Sequence, residues 1–470
     1  MPKALALALA AALLAGCTVG PRHVRPEVAL PERFDQAPAE AGTATAAPLP
    51  GTALWEAFDD PALSFLVART LEANTGIAQA EARLAEARAL TGLATFSLFP
   101  TLTAGATGSR SRASGADPFV PPGLGTIETY RAGFDASWEI DLFGGLRNPS
   151  RAIRARAEAS AAELSGMRLR MVAETAQAYF ALRGAQRRLA LAQDNLAAAD
   201  EAARLIALLF EHGRVNGLEA ARAQSQRDAL AAALPQREAE AVAQEQRLAV
   251  LTALPVEALR ARLGEPRGTP ELPRLETVGT PEDWLKRRPD IAAAERRLAA
   301  ARNDVGEEMA QFFPRLVLNG AFGWTGQQLG LLGESGAERW EWGPTLSWRF
   351  LDLGRVRQSV KAAEARAAGT EAQYRETVLQ ALEETENALA GYRASNRAAT
   401  ELESAAAAAR EASRLARLRF EAGADDALTL LQAEQARIDL EDAAVQAQTA
   451  RATALAALYK ALAGDFAQAR

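Results

Sequence analysis

Residues 129–140 read Thr-Tyr-Arg-Ala-Gly-Phe-Asp-Ala-Ser-Trp-Glu-Ile. Its even positions carry the apolar or small side chains of Tyr130, Ala132, Phe134, Ala136, Trp138 and Ile140. Its odd positions carry Arg131, Gly133, Asp135, Ser137 and Glu139. A period of two is typical of a β-strand whose two faces meet different surroundings. The stretch therefore predicts a strand with one dry face and one wet face.

The same alternation returns in residues 339–350, which lie 210 positions further along the chain. The apolar positions there are Trp340, Trp342, Leu346, Trp348 and Phe350, and they alternate with Arg339, Glu341, Thr345, Ser347 and Arg349. Two such strands at this distance indicate that the chain is internally duplicated.

A second strand precedes each of these two, and a loop rich in Gly, Pro and Ser separates the strands of each pair. Alternation of this kind is common in the core of a soluble sandwich. However, about ten tilted residues also cross a bilayer as a strand. Because these two hairpins stand alone in a chain that otherwise reads as helix, we predict four transmembrane strands, at about 100–111, 128–140, 314–326 and 339–350.

Four strands cannot close into a barrel, and open sheet edges are not tolerated in hydrocarbon. Since the smallest membrane barrels need about eight strands, several copies must share one wall. Three copies would supply twelve strands, with Arg131, Asp135, Glu139, Arg315, Asn319, Glu341 and Arg349 facing a water-filled lumen. Tryptophan prefers the lipid interface. We therefore expect a lipid-facing aromatic belt of Trp138, Trp324, Trp340, Trp342 and Trp348.

The composition favours a transport or structural role over catalysis. The 470 residues include two His and one Cys, too few for a metal cage or a His- or Cys-based triad. We expect no catalytic residue, no metal and no cofactor. The mild acidity of the chain is not typical of a nucleic-acid-binding protein. The adjacent acidic pairs Glu307-Glu308 and Glu383-Glu384 are predicted to lie on solvated helix faces.

The first residues have the features of a secretory signal: Lys3, an apolar run over 4–14, and small residues before Cys17. Leu14-Ala-Gly-Cys17 resembles a bacterial lipobox, which implies removal of residues 1–16 and lipid attachment at Cys17. An ordinary signal followed by a free thiol is the alternative. Similar lipoproteins are held at the inner membrane by Asp after the cysteine, so Thr18 favours the outer membrane. Residues 17–60 read as an extended segment without a core of its own.

Helical sequence fills most of the remaining chain. Residues 61–96 are predicted to be helical, and Pro100 prevents the helix from continuing into the first strand. Residues 150–212 and 355–421 would form helices of roughly 95 and 100 Å at 1.5 Å per residue. Each long helix turns back, at about 210–218 and 420–428 respectively. The second returning arm carries Leu431, Ile438, Val445, Ala452 and Tyr459 at intervals of seven, which predicts a coiled-coil seam.

The duplication can be counted. Residues 77–102 and 291–316 share 13 identities in 26 positions, and residues 208–230 and 418–440 share 8 in 23. The two offsets, 214 and 210, differ by only four residues. We therefore divide the chain into a first repeat (61–254), a linker (255–283) and a second repeat (284–470).

Particular motifs resemble one family. They are Gly20-Pro-Arg-His-Val-Arg-Pro26, Trp55-Glu-Ala-Phe-Asp-Asp-Pro61, Asn74 and, most specifically, Arg287-Arg-Pro-Asp-Ile291 with Ala294-Glu-Arg-Arg-Leu298. They resemble the outer membrane factors, the TolC- and OprM-like channels, in their NodT-type lipoprotein branch. The resemblance covers the whole mature chain. It implies a mainly helical, duplicated TolC-like fold and a homotrimer with a twelve-stranded β-barrel and a long periplasmic α-helical barrel.

The resemblance also implies partners and a gate. The helix tips would meet a periplasmic adaptor (membrane fusion protein) that connects to an inner-membrane pump, through Phe210, Glu211, Gly213, Leu218, Phe420, Glu421 and Gly423. Leu428, Asp425 and Asp426 are gate candidates, because rings of Leu resist wetting and rings of carboxylates favour cations. Alternatively, both aspartates only cap the returning helix. Relatives often have Asp where Gln432 stands, so one charged contact of their gate is absent here.

Three functions are compatible with these features. The favoured one is a passive trimeric outer-membrane conduit of a tripartite (RND-type) efflux system for drugs or other small toxic compounds, anchored in outer-membrane lipid. The second is the same conduit serving a type I protein secretion system. The third is a lipid-anchored periplasmic coiled-coil adaptor without a pore, which would leave the four alternating strands unexplained.

Overall fold

A computed structural model describes residues 18–36, 55, 58–114, 116, 118, 125–265, 268 and 280–462. The proposed lipidation site Cys17 and the predicted signal peptide lie outside the described residues. Helices make up most of the described chain, and a single four-stranded sheet accounts for the strands found there. No helix within the described residues combines the length and the apolarity that a membrane-spanning helix requires.

The helices follow the duplicated order predicted from the sequence. The first repeat contains α1 (Pro61–Ala73), α2 (Thr75–Phe96), α3 (Arg147–Glu211) and α4 (Gly217–Thr252). The linker contains α5 (Val256–Leu263), and α6 (Pro281–Arg287) begins in the linker and ends in the second repeat. The second repeat contains α7 (Pro289–Ala310), α8 (Leu353–Glu421) and α9 (Ala427–Ala461). At 1.5 Å per residue, the 65 residues of α3 and the 69 of α8 extend about 98 and 104 Å.

The strands are β1 (Thr101–Arg112), β2 (Thr126–Ile140), β3 (Arg315–Gly326) and β4 (Glu338–Ser347). They pair antiparallel in the order β1-β2-β3-β4, so the two hairpins join through β2 and β3. Gly133 and Gly323 make this junction possible, because a Cβ on Gly133 would lie 2.5 Å from the Phe322 carbonyl oxygen. β1 and β4 are the two edges of the described sheet, and each has one side without a partner strand.

The chain divides into two compact units. The described parts of 1–27, 83–161 and 293–375 form the first, and those of 28–82, 162–292 and 376–470 form the second. In the first unit, α3 and α7 approach closely through small buried side chains, Ala152, Ala155, Ala299 and Ala300. The second unit contains an aromatic core in which the rings of Trp55 and Tyr459 lie 4.9 Å apart. Leu431, Val445, Ala452 and Tyr459 of the predicted coiled-coil seam are buried, and Ala452 and Tyr459 belong to this core.

The N-terminal segment is held by specific contacts rather than loosely attached. The Val19 amide donates to the Phe143 carbonyl, and the Asn148 side chain donates to the Val19 carbonyl at 2.9 Å. His23 lies 3.4 Å from Glu295, so it packs against α7 and is not the exposed tail residue that its position in an extended segment suggests. In the second unit, Phe34 is buried against Trp284.

The structure corrects three expectations. The helix predicted over 61–96 is two helices, because Asn74 ends α1 and its side-chain oxygen caps α2 by accepting from the Gly76 and Ile77 amides. β4 ends at Ser347, so Trp348 follows the strand. Glu384 does not lie on a solvated face, since it is half-buried and pairs with Arg288 at 2.6 Å and Lys460 at 2.8 Å.

Candidate functional site

The two faces of the sheet differ sharply in chemistry. In antiparallel pairs, residues directly opposite each other share a face. The register pairs Ala132 with Trp324, Trp138 with Leu318, and Phe322 with Trp340, so the even-numbered residues of all four strands form one face. We call this the apolar face, because it carries Leu102, Tyr130, Phe134, Trp138, Ile140, Leu316, Leu318, Phe322, Trp324, Trp340, Trp342 and Leu346.

The apolar face is exposed in the single chain. The exposed fractions of Trp340 and Trp342 are 70% and 72%, and Leu102 is 68% exposed. Buried apolar surface stabilises a protein by about 25 cal/mol per Å². Indole rings that stay exposed to water do not contribute this stabilisation. Exposed apolar patches of this size indicate a contact with a membrane or with another protein. The register thus brings together four of the five predicted belt residues, Trp138, Trp324, Trp340 and Trp342.

The odd-numbered residues form the polar face. It carries Thr101, Thr103, Thr107, Ser109, Arg131, Asp135, Ser137, Glu139, Arg315, Asn319, Arg339, Glu341 and Thr345. A hydrogen-bonded row crosses it: Ser137 donates to the Asn319 side-chain oxygen at 3.1 Å, and the Asn319 amide donates to the Thr345 hydroxyl at 3.1 Å. A concavity of about 500 Å³ lies against this row and is lined by Thr103, Asp135 and Glu341. The polar face is therefore the concave one.

Each hairpin of strands is fixed by the same contact to the turn that follows the preceding helix. The Trp138 indole donates to the Leu98 carbonyl at 3.1 Å, and the Trp348 indole donates to the Phe312 carbonyl at 3.0 Å. Leu98 and Phe312 correspond at the offset of 214, and the two tryptophans correspond at 210. The duplication has therefore kept a hydrogen bond as well as a pattern. Trp348 holds this position although it lies just beyond β4.

The two helix tips have the same backbone. Gly213 and Gly423 adopt φ of 69° and 72°, a conformation that glycine adopts without strain. Each glycine amide donates at 2.9 Å to the carbonyl three residues before it, that of Phe210 or Phe420. The tips differ in exposure, since Phe210 is 49% and Leu218 60% exposed, whereas Phe420 and Leu428 are half-buried. Glu211 and Glu421 are both exposed.

The aspartates of the second tip have local partners. Asp426 is the N-cap of α9 and accepts from the Thr429 amide at 2.8 Å, and hydrogen bonds to Thr429 lower the pKa of Asp426. Asp425 accepts from Arg419 at 2.6 Å. In the first tip, Asn216 caps α4 in the same way, with Glu219 completing a capping box. Local capping thus accounts for the position of Asp426, while its side chain stays exposed at the tip.

His212 caps the end of α3. Its Nδ1 lies 2.9 Å from the Leu208 carbonyl oxygen, the arrangement expected for a helix C-terminus. Among the described residues, no three His, Cys, Asp or Glu side chains come close enough together to hold a metal ion.

Sequence reasoning missed the row made by Gly105, Gly133 and Gly323 on the polar face, which the register aligns with Arg339. Its recognition requires the β2–β3 register, which joins the two repeats and leaves no local signal. Sequence reasoning also missed the buried Arg183, which donates to the Leu263 carbonyl at 2.9 Å and holds the end of α5. A charged residue within an apolar helix segment was the available signal for it.

Comparison with known proteins gives consistent results. The profile of a family described as "Outer membrane efflux protein" matches residues 66–254 and 280–464. Outer membrane protein OprJ of Pseudomonas aeruginosa is 32% identical over 98% of this chain and 96% of its own length. Antibiotic efflux pump outer membrane protein ArpC of Pseudomonas putida is 27% identical over 98% of this chain and 95% of its own.

A solved structure is similar over nearly the whole chain. The outer-membrane channel OprN superposes with a TM-score of 0.89 at 36% identity, over 96% of this chain and 99% of that one. The chain described above therefore has the fold of a known outer-membrane channel.

Proposed function

The chain belongs to the outer membrane efflux protein family, whose members are outer-membrane channels, and we therefore propose that three copies form the passive duct of a tripartite efflux system. The copies complete a twelve-stranded barrel. Their helix tips meet a periplasmic adaptor that connects to an inner-membrane pump. The duct releases drugs or other small toxic compounds, and acyl chains on Cys17 add a lipid anchor.

One observation carries this proposal: a sheet with an exposed apolar convex side, a polar concave side and two unpaired edges. Unpaired edges cannot persist in lipid, so the sheet has to continue into another sheet. Three copies reach the twelve strands that leave room for a water-filled lumen. The concave face then lines water and the convex face meets acyl chains.

The lengths of the strands agree with this placement. The described strands have 10 to 15 residues. A transmembrane strand needs about 9 to 11 residues at a tilt of about 45°. The loops between β1 and β2 and between β3 and β4 would face the cell exterior, since outer-membrane barrels carry their longer loops there.

A deletion strain tests the function. We expect loss of the gene to increase susceptibility to several unrelated small toxic compounds, and the wild-type gene supplied in trans to restore resistance. A strain that keeps its resistance and loses a secreted polypeptide would instead support the type I secretion function. Neighbouring genes for a pump and an adaptor would also support the efflux function, whereas a neighbouring gene for a secretion ATPase would support type I secretion.

A labelling experiment tests the wall itself and excludes the adaptor alternative. Single cysteines at positions 134 and 138 lie on the apolar face, and cysteines at 135 and 139 lie on the polar face of the same strand. In intact membranes, we expect a water-borne thiol reagent to modify 135 and 139 much faster than 134 and 138. Equal rates at all four positions would contradict the duct, as would a protein that leaves the membrane without detergent and runs as a monomer before heating.

A further inference from the structure

The charged residues of the polar face are sorted by sign along the strands. Asp135 and Glu341 fall in one row across the sheet, because the register pairs each of them with Ala321. We call this row the acidic belt. Arg339 lies in the next row toward the loops, opposite Gly323, and Arg131 lies one row beyond, opposite Thr107. We call these two residues the basic belt.

The belts are separated by regular strand geometry. Neighbouring rows on one face are two residues apart, which is about 6.8 Å along a strand. The charges of the two belts are thus about 7 to 14 Å apart in the direction of the strands. The remaining charged side chains of this face within the strands, Glu139 and Arg315, lie toward the opposite end of the sheet.

The side chains of both belts are solvent-exposed. Arg131, Asp135, Arg339 and Glu341 are all exposed, and within the described residues none of them makes an ion pair. By contrast, Arg110 and Glu128, on the apolar face near the loops, approach to 3.5 Å. The concavity of the polar face reaches the acidic belt through Asp135 and Glu341. The charges of both belts can therefore interact with solutes that enter the space in front of the polar face.

Repeated in the three copies of the proposed trimer, each belt would form a staggered ring, because the tilt of the strands places its two members at different heights along the barrel axis. Twelve strands spaced about 4.8 Å apart and tilted about 40° enclose a backbone diameter of about 24 Å. Side chains narrow this further, and the Debye length at physiological salt is about 8 Å. Six carboxylates and six guanidiniums would thus influence a large part of the cross-section, with the basic ring nearer the cell exterior.

We propose that these two stacked rings favour solutes that carry a positive and a negative group about 7 to 14 Å apart, which are elongated zwitterionic molecules. This inference rests on the proposed trimeric duct and names a substrate class for it. A solute with one sign of charge meets attraction at one ring and repulsion at the next. A zwitterion of matching length places each end beside a ring of opposite charge.

Two positions on β1 test the belts with matched access. Thr103 pairs with Asp135 in the acidic belt, and Thr107 pairs with Arg131 in the basic belt. Both residues are exposed and lie on the same face of one strand, four positions apart. Thr103→Cys and Thr107→Cys can each be reacted with a cationic and an anionic methanethiosulfonate reagent in proteoliposomes. The wild-type protein controls for reaction at Cys17.

The expected result is a reversal of preference within one strand. A unit charge about 6 Å away in water changes the local concentration of a charged reagent about threefold. The ratio of cationic to anionic rates, normalised to a free thiol, should exceed three at position 103 and fall below one third at position 107. Asp135→Asn with Glu341→Gln should abolish the preference at 103 and leave that at 107 in place.

Salt provides a second measurement that needs no charge variant. At about 1 M ionic strength the Debye length falls to about 3 Å, so both ratios should move toward one. Equal normalised ratios at the two positions in low salt would overturn the inference. A failure to label either position at all would instead contradict the water-filled duct, so the two failures can be told apart.

The substrate class has its own test. Proteoliposome swelling can compare 6-aminohexanoate with a neutral solute of the same length. Because both solutes pass the same constrictions, the ratio of their rates removes the contribution of a gate. We expect the zwitterion to be favoured severalfold, and this advantage to disappear in Arg131→Gln with Arg339→Gln. A ratio that these substitutions leave unchanged would overturn the proposal, as would equal rates for the two solutes in the wild-type channel.

Discussion

At the scale of single residues, the N-terminal segment depends on two glycines. Gly20 adopts φ of 123° and lies so close to α7 that a Cβ there would be 2.5 Å from the Gly306 Cα. A Cβ on Gly306 would lie 2.6 Å from the Asn148 side-chain nitrogen and 3.0 Å from the Val19 carbonyl oxygen. Asn148 is 3% exposed and already bonded to Val19, so it has no room to move aside.

Gly306→Ala should therefore destabilise the protein although alanine is the better helix former. We expect the melting temperature in detergent to fall by several degrees, as for an overpacked site that costs about 1–3 kcal/mol. Gly369→Ala is the matched control: Gly369 also lies inside a helix, but a Cβ there meets nothing within 4 Å. That substitution should be neutral or stabilising by up to about 1 kcal/mol. Equal shifts in the two variants would contradict the close approach.

Arg288 connects α6 and α7 to α8 and α9 in the second unit. It is 7% exposed and donates to Asp290, to Glu384 and to the Ala461 carbonyl. Burial raises the pKa of Glu384, but hydrogen bonds from Lys460 and Arg288 outweigh it and bring the pKa below its ordinary value of 4.5. A lowered pKa stabilises the fold above about pH 4.5, and that stability is lost as the pH falls through the pKa of the folded state.

Arg288→Met should lower the melting temperature most at neutral pH, because it leaves a half-buried carboxylate short of a partner at a cost of about 1–3 kcal/mol. The difference from wild type should shrink as the pH is lowered past 4.5, where Glu384 takes up a proton. Arg355→Met is the control, since Arg355 is 81% exposed and its pair with Asp352 should contribute about 0–1 kcal/mol. A pH-independent difference for Arg288→Met would show that Glu384 is not the group affected.

At the scale of elements, the two duplicated tips allow the role of Asp426 as a helix cap to be tested apart from its proposed role in the gate. Asp426 and Asn216 occupy equivalent N-cap positions with equivalent bonds. Asparagine caps a helix about as well as aspartate does, whereas alanine loses about 1 kcal/mol. Asp426→Asn thus removes the charge and keeps the cap, and Asp426→Ala removes both.

If the second tip forms the gate, Leu428→Ala with Asp426→Asn should raise single-channel conductance in planar bilayers, and Leu428→Ala with Asp426→Ala should do so at least as strongly. The corresponding change in the first tip, Leu218→Ala with Asn216→Ala, should leave conductance near wild type. Channels that stay mostly closed in both second-tip variants would reject Leu428 and Asp426 as gate residues. A rise only in the alanine version would assign the effect to loss of the cap.

The elements that sequence reasoning predicted well are those with a local cause. Alternation in 129–140 predicts both the strand and its faces, because the side-chain period belongs to the strand itself. The break at Asn74 was missed because Leu66, Leu71 and Ile77 continue an apolar pattern through it, while a single side chain caps the second helix. Glu384 was misplaced because its neighbours come from α9 and from the turn between α6 and α7, which sequence spacing does not bring together.

At the scale of the whole molecule, the same reasoning explains why the belts could not be found from sequence. Asp135 and Glu341 are 206 positions apart and share a row only through the β2–β3 and β3–β4 registers. Each residue was predicted to line the lumen on its own. Their grouping by sign depends on how the two repeats pair.

Closure of the wall can be tested by crosslinking its edges. Cysteines at odd positions of β1, combined one at a time with a cysteine on β4, should form disulfides between different copies for a subset of positions. If the ring closes with three copies, the crosslinked products should end at three chains. A ladder that continues beyond three would indicate an open sheet, and products limited to single chains would indicate that β1 and β4 of one copy meet each other.

The unpaired edges of β1 and β4 have a consequence for cells that make several such proteins. An edge strand presents backbone N–H and C=O groups, which are the same in every sequence. Two paralogues of one cell could therefore enter a common ring unless side chains outside the strands discourage it. A copy that keeps its strands but lacks its helix tips would then inactivate each barrel that it joins. A truncated gene product should therefore be dominant over the intact one.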